Sequence, residues 1–252
     1  MDITIEVCCQ SAGDALTAAK CGADRVELNS SLHLGGLTPS VGAVEFVKQY
    51  SSIPVIVMIR PRQGGFCYDR DELEVMARDI RALLRAGADG VAFGCLRVNG
   101  TVDVSACMRL LDETGGHESV FHRAFDMIIG QDFRPALDAI AALGFSRVLT
   151  SGGESTAVRG IPVLRQLRAY APATLEILPC GKVRADNAAR IIRETGCRSV
   201  HTSAFLHGND ATSAYNPKVG FTGEPPEEGA YPVCDADALT RFIQNTRGRL
   251  AL

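Results

Sequence analysis

The sequence predicts a (β/α)8 barrel, an α/β fold of the TIM type in one domain over residues 1–252. Three observations carry that expectation. Short apolar, β-branched runs alternate with helix-period stretches eight times along the chain. The phrases KCGADRV, RAGADGV, ALGFSRV and ETGCRSV repeat one pattern: a helix ends, a Gly turns the chain, and a strand begins. The first strand–helix turn, CCQSAGDA, lacks the G-x-G-x-x-G favoured by the rival doubly wound sheet. Eight such units close naturally into a barrel of about 250 residues.

Strands are expected at about 3–9, 25–29, 54–60, 90–94, 119–124, 146–151, 174–179 and 198–203, each rich in residues that suit a buried pleated surface. Helices are expected at about 12–22, 40–51, 70–87, 103–115, 132–144, 157–171, 185–196 and 235–247. Ser40 and Asp132 are placed as N-caps, where a side-chain oxygen accepts from a free backbone N–H. Gly22, Gly87, Gly144 and Gly196 stand just past helix ends. Residues 203–234 read as a long polar loop after strand eight, on the face where barrels carry their sites.

Composition narrows the function. The chain has 252 residues, 46% hydrophobic and 22% charged, so it can bury a large core without disulfides or metal. The net charge of −3 and the lack of any Lys/Arg block argue against a nucleic-acid partner. No run approaches the roughly 20 apolar residues that cross a bilayer, so no membrane partner is expected. The start MDITIEVCCQ lacks the basic and apolar pattern of a secretory signal, and a cytoplasmic location is expected. Nine cysteines, an odd number with no C-x-x-C pair, argue against a disulfide framework or a structural zinc site.

Strand alternation sorts the candidate site. In strand one Ile3, Ile5 and Val7 face outward while Thr4, Glu6 and Cys8 face inward. In strand two Glu27 and Asn29 face inward, and in strand three Ile56, Met58 and Arg60 share a face. Charges inside a barrel must pair or serve a ligand. An internal salt-bridge layer without chemistry is the alternative for Glu6 and Glu176, early in their strands; Glu27, Arg60, His122 and Asp126, near strand ends, are the candidate catalytic groups. His122 in FHRAFD could exchange protons near neutral pH. Arg62 in IRPR suits an anion, as does Arg60, or both could pair with Glu27 and Asp126. The Gly-rich turns LTSGG and LPCGK offer Ser151, Gly152, Gly153, Gly181 and Lys182 as an anion cradle, with His201 and Ser203 at the end of strand eight.

Cys8 is the metal candidate, with a buried inert thiol as the alternative. It faces in and Cys9 faces out, so the two cannot share an ion as neighbours. A soft thiolate selects Cu(I), with His122, His201 or a second subunit completing the set.

Taken in order, EVCC, GADRVELNSSLHLGGLTPS, VIVMIRPRQGGFCY, VAFGCL, FHRAFDM and RVLTSG resemble the copper homeostasis protein CutC family from residue 6 to about 152, with weaker agreement through SVHTSA. The resemblance implies a TIM-type barrel, a cytoplasmic location, copper binding and copper tolerance, and a homodimer or larger homo-oligomer. It also implies copper ligands at two cysteines near the ends of strands one and two. Cys8 matches the first; the second position is Asn29, which removes a thiolate. A further departure is PCGK at 179–182 in place of a glycine-richer turn.

Three functions follow as expectations: copper binding in homeostasis, an enzyme acting on a small anionic or phosphorylated metabolite, and a non-catalytic scaffold using residues 203–234.

Overall fold

The computed structural model describes residues 3–128, 132–216 and 230–250. Eight strands, Thr4–Cys9 (β1), Arg25–Leu28 (β2), Val55–Met58 (β3), Gly90–Phe93 (β4), Glu118–Phe121 (β5), Arg147–Thr150 (β6), Glu176–Pro179 (β7) and Ser199–Thr202 (β8), form one sheet. Its order is β7-β6-β5-β4-β3-β2-β1-β8, with every ladder parallel. The β7–β8 seam is spanned by Ser199 Oγ, which donates to Glu176 Oε1 at 2.6 Å. The expected barrel is therefore present and nearly closed.

The helices are Ala12–Lys20 (α1), Val41–Tyr50 (α2), Arg70–Arg85 (α3), Val104–Asp112 (α4), Arg134–Ala142 (α5), Ile161–Tyr170 (α6), Ala188–Thr195 (α7) and Ala236–Leu250 (α8). Their starts follow the capping logic. Ser40 Oγ accepts from Ala43 N at 3.2 Å, and Asp69 and Glu72 form a reciprocal capping box at the head of α3. Asp132 lies one residue too early for the N-cap expected of it. Phe133 holds that position, Pro135 sits in the first turn, and Asp132 accepts from Arg134 N at 3.1 Å. The repeated Gly phrase works as read: Gly87 and Gly144 take φ of +102° and +87°, a left-handed turn that a Cβ would strain.

Alternation holds through the barrel wall. Ile5, Val7, Val26, Leu28 and Val57 face outward into the helix layer, each fully or almost fully buried. Burial of such side chains contributes about 1.5–3 kcal/mol apiece. Inside, the barrel is built in levels. At the strand starts lies an ion layer: Glu6 pairs with Arg25, and Arg147, 4% exposed, pairs with Glu118 and Glu176. Above it Ile56, Ala92, Val120, Leu149, Leu178 and Cys180 form a small apolar plug. Above that the interior opens.

Two expected boundaries are corrected. Strand five ends at Phe121, and Arg123–Met127 form a 3-10 turn instead of continuing the strand. The cause is local: His122 Nδ1 accepts from Ala124 N at 3.2 Å and bends the chain. Residues 203–234 are not a plain loop. Phe205–Asn209 (β9) and Ala230–Cys234 (β10) pair antiparallel, and residues 217–229 of that loop lie outside the described residues. The hairpin is tied to α1, since Cys234 N donates to Asp14 Oδ1 at 2.8 Å.

Candidate metal and ligand site at the strand ends

A cavity of about 230 Å³ opens at the C-terminal ends of the strands, the end where barrels carry their sites. Cys8 from β1, Glu27 from β2, Arg60 past β3, His122 past β5, Lys182 past β7 and His201 from β8 all line it. Six candidates named from sequence thus converge, and Gly181 joins them.

Cys8, Glu27 and His201 bring one donor atom each to within 4.8 Å of one another. Parallel pairing sets this up, because β1 lies between β2 and β8 with Cys8 opposite Glu27 and Glu6 opposite His201. Cys8 Sγ stands 3.8 Å from Glu27 Oε2, and His201 Nε2 stands 3.9 Å from the same oxygen. Beneath the triad Glu6 holds His201 Nδ1 at 2.7 Å. Asn29 braces it from the side, donating its amide to Glu27 Oε2 at 2.9 Å and to Cys8 Sγ at 3.6 Å.

Burial and charge compete in this cluster. Burial alone would raise the Glu6 carboxyl, but the His201 hydrogen bond and the Arg25 charge outweigh it and hold Glu6 at about 2. Burial alone would lower His201, yet Glu27, Cys8 and Glu6 together push it well above the usual imidazole value. Burial raises Glu27 above the ordinary carboxylate value, and pushes the Cys8 thiol up to about 12. His201 thus carries its proton between two carboxylates, and Cys8 keeps its own.

Arg60 and His122 behave differently from what their residue types suggest. Arg60 is 5% exposed, and its guanidinium donates to the carbonyls of Leu34, Gly36 and Gly64 at 3.0, 2.9 and 2.6 Å. It has no carboxylate partner among the described residues, so the expected pairing with Glu27 or Asp126 does not form. It clamps two loops over the barrel mouth and stacks on Phe66 at 5.2 Å. His122, expected as a proton exchanger near neutrality, is held neutral: burial, then the Arg60 charge, lower it to about 3. Its Nδ1 accepts from Ala124, so the ring proton sits on Nε2, which has no hydrogen-bond partner. Gly94 makes room for this ring, since a Cβ there would come within 3.0 Å of His122 Nδ1.

Other sequence candidates are placed elsewhere. Asp126 turns out of the cavity. Its carboxylate accepts from Ser151 N, Ser151 Oγ and Gly153 N, each at 3.0 Å, and pairs with Arg123 at 2.8 Å. Gly152 N donates to Thr150 Oγ1 at 2.9 Å. The Ser151–Gly153 turn does hold a carboxylate, but it is the chain's own, so those N–H groups are taken. Arg62 pairs with Glu72 and stacks on Tyr68 at 5.3 Å, fixing the loop before α3 rather than lining the cavity. Residue reasoning passed over Glu6 as the support of His201, and Phe66, Cys180 and Arg184 as cavity wall. Parity and strand register could have given Glu6; the other three depend on loop closure.

Comparison with known proteins agrees with this fold. The chain matches the CutC family over residues 3–206. It is 40% identical over 246 residues to the CutC family protein of Treponema denticola, covering 97% of this chain and 99% of that one. It is 44% identical over 200 residues to the copper homeostasis protein cutC homolog of Homo sapiens, covering 79% of this chain and 72% of that one. A solved copper homeostasis protein CutC from Streptococcus agalactiae superposes with a TM-score of 0.76 at 37% identity, over 79% of this chain and 97% of that one. A phosphoribosyl anthranilate isomerase of Thermotoga maritima, 12% identical with a TM-score of 0.57, shares the barrel alone. With a family match over most of its length and relatives at these identities, the chain belongs to the CutC family.

Proposed function

We propose that this chain binds a copper ion at Cys8, Glu27 and His201, in keeping with the copper homeostasis name of its human and mouse relatives. One observation carries the reading: three donor atoms of three types converge within 4.8 Å. Metal–donor bonds of about 2.0–2.3 Å place the donors around one tetrahedral ion roughly 3.3–3.8 Å apart. The two edges at Glu27, 3.8 and 3.9 Å, need only small contraction. The support of His201 by Glu6 is the carboxylate–imidazole arrangement that orients a metal-binding ring and leaves Nε2 for the ion.

The donor chemistry suits a soft or borderline ion. Thiolate and imidazole favour copper over hard cations, and Glu27 supplies negative charge. Asn29, where the family resemblance implies a second thiolate, contributes hydrogen bonds that hold Cys8 and Glu27 in place. To bind, Cys8 gives up its thiol proton and His201 gives up the one on Nε2, so uptake releases protons.

The test is a Cu(I) titration of the full chain against a competing chelator. Cys8→Ser and His201→Asn are expected to weaken binding at least 100-fold, and Glu6→Gln by about 10–100-fold as an outer-shell change. Binding by Cys8→Ser as tight as that of the unaltered chain sinks the reading.

A further inference from the structure

We propose that the rest of the cavity is a site for a small organic dianion, one anionic group taken by Arg60 and His122 and the other by Lys182 and Arg184. None of these four residues is in the copper triad, so the inference stands apart from that reading.

The first half rests on two buried donors. Arg60 Nε and His122 Nε2 are shielded from water and have no hydrogen-bond partner. Both side chains line the cavity and pack on the same Phe66 ring, Arg60 at 5.2 Å and His122 at 4.9 Å. The His122 tautomer is fixed by its bond from Ala124, so Nε2 presents a hydrogen and cannot accept. Arg60 adds a full charge met by carbonyl dipoles and the Phe66 ring, with no carboxylate partner among the described residues. A buried cation beside an unused N–H donor calls for an anionic oxygen.

The second half rests on topology. In a closed ring ordered β7-β6-β5-β4-β3-β2-β1-β8, β3 and β7 lie four strands apart in either direction. Arg60 follows β3, whereas Lys182 and Arg184 follow β7 on the opposite wall. Neither side chain is in an ion pair among the described residues, and Lys182 is held at a φ of +54°, a strained setting for a residue with a side chain. Between the walls Met58 and Leu149 give the lining an apolar stretch, beside the Cys8, Glu27 and His201 donors. Charges at both ends and hydrocarbon between them describe a short chain with an anionic group at each end. The volume of about 230 Å³ is below the roughly 300 Å³ at which drug-sized pockets begin, so only a few carbons fit. A dicarboxylate and a phosphorylated carboxylate share this chemistry.

Isothermal titration calorimetry of the full chain tests the site. The probes are malonate, succinate, glutarate and 3-phosphonopropionate as dianions, butyrate as a monoanion and 1,4-butanediol as a neutral chain. At least one dianion is expected to bind ten times more tightly than butyrate, with butanediol undetected. The double variant K182M/R184M is expected to erase the dianion's advantage and leave butyrate unchanged. R60M is expected to weaken every anion tenfold or more; should it fail to fold, the double variant decides. Dianions that bind no better than butyrate overturn the proposal, as does an advantage that survives K182M/R184M.

Discussion

The barrel holds two charged levels, and they are built on opposite terms. At the strand starts every charge has its opposite: Arg25 meets Glu6, and Arg147 meets Glu118 and Glu176. Arg147 leaves two N–H groups without partners, but its charge is matched and it does not line the strand-end cavity. At the strand ends, across an apolar plug, Arg60 has no carboxylate, His122 has an unused donor, and Cys8, Glu27 and His201 lean together around a space. The same residue types are therefore matched in charge at one end and left open at the other, where we propose a ligand. What separates them is the partner, not burial: Arg147 is 4% exposed and Arg60 5%.

The sharpest way to break this contrast is to remove a charge from the lower level. Arg147→Met leaves Glu118 and Glu176 without their shared cation. It is expected to destabilise the fold by about 3–5 kcal/mol, read as a lower urea midpoint. A loss below about 1 kcal/mol would mean that the lower level is not a true ion layer.

A smaller effect is expected at the upper level, on acidification. His122 sits at about 3 in the folded chain against an ordinary 6.5. Between those values the unfolded chain binds more protons, so stability falls as pH falls from about 6.5 toward 3. The contribution reaches about 2 kcal/mol by pH 5. His122→Asn is expected to flatten that limb of a stability–pH curve by this amount; an unchanged limb would show that the ring is not held neutral.

Smaller again is Asp126→Asn, which weakens the charge-assisted bonds to Ser151 and Gly153. A loss of about 1–3 kcal/mol is expected, with little change in Cu(I) affinity because Asp126 is turned away from the cavity. A large fall in Cu(I) affinity would contradict that placement. Ser40→Ala, far from both levels, removes one N-cap bond and is expected to cost about 1 kcal/mol in thermal or urea unfolding.

How much of this could be read from the sequence follows the same division. The barrel was readable because Gly turns and strand parity are local signals: Ile5 and Val26 out, Glu6 and Glu27 in, needed no knowledge of distant contacts. The pairing of Glu6 with His201 is separated by 195 residues and depends on β8 lying beside β1. The Ser151–Gly153 turn looked like an open anion cradle because sequence cannot show that Asp126 already fills it. His122 looked like a proton exchanger because its tautomer and pKa depend on one backbone N–H and on Arg60. The hairpin in 203–234 was missed because its two strands are short and far apart in sequence.

The upper level's claim to be a ligand site rests most directly on what surrounds a bound ion. X-ray absorption at the copper edge of the Cu(I)-loaded chain, compared with Cys8→Ser, reads this without relying on affinity. The account predicts one sulfur neighbour together with nitrogen and oxygen neighbours, and loss of the sulfur signal in Cys8→Ser. Two sulfur neighbours, or a sulfur signal that survives Cys8→Ser, would place the ion elsewhere and contradict it.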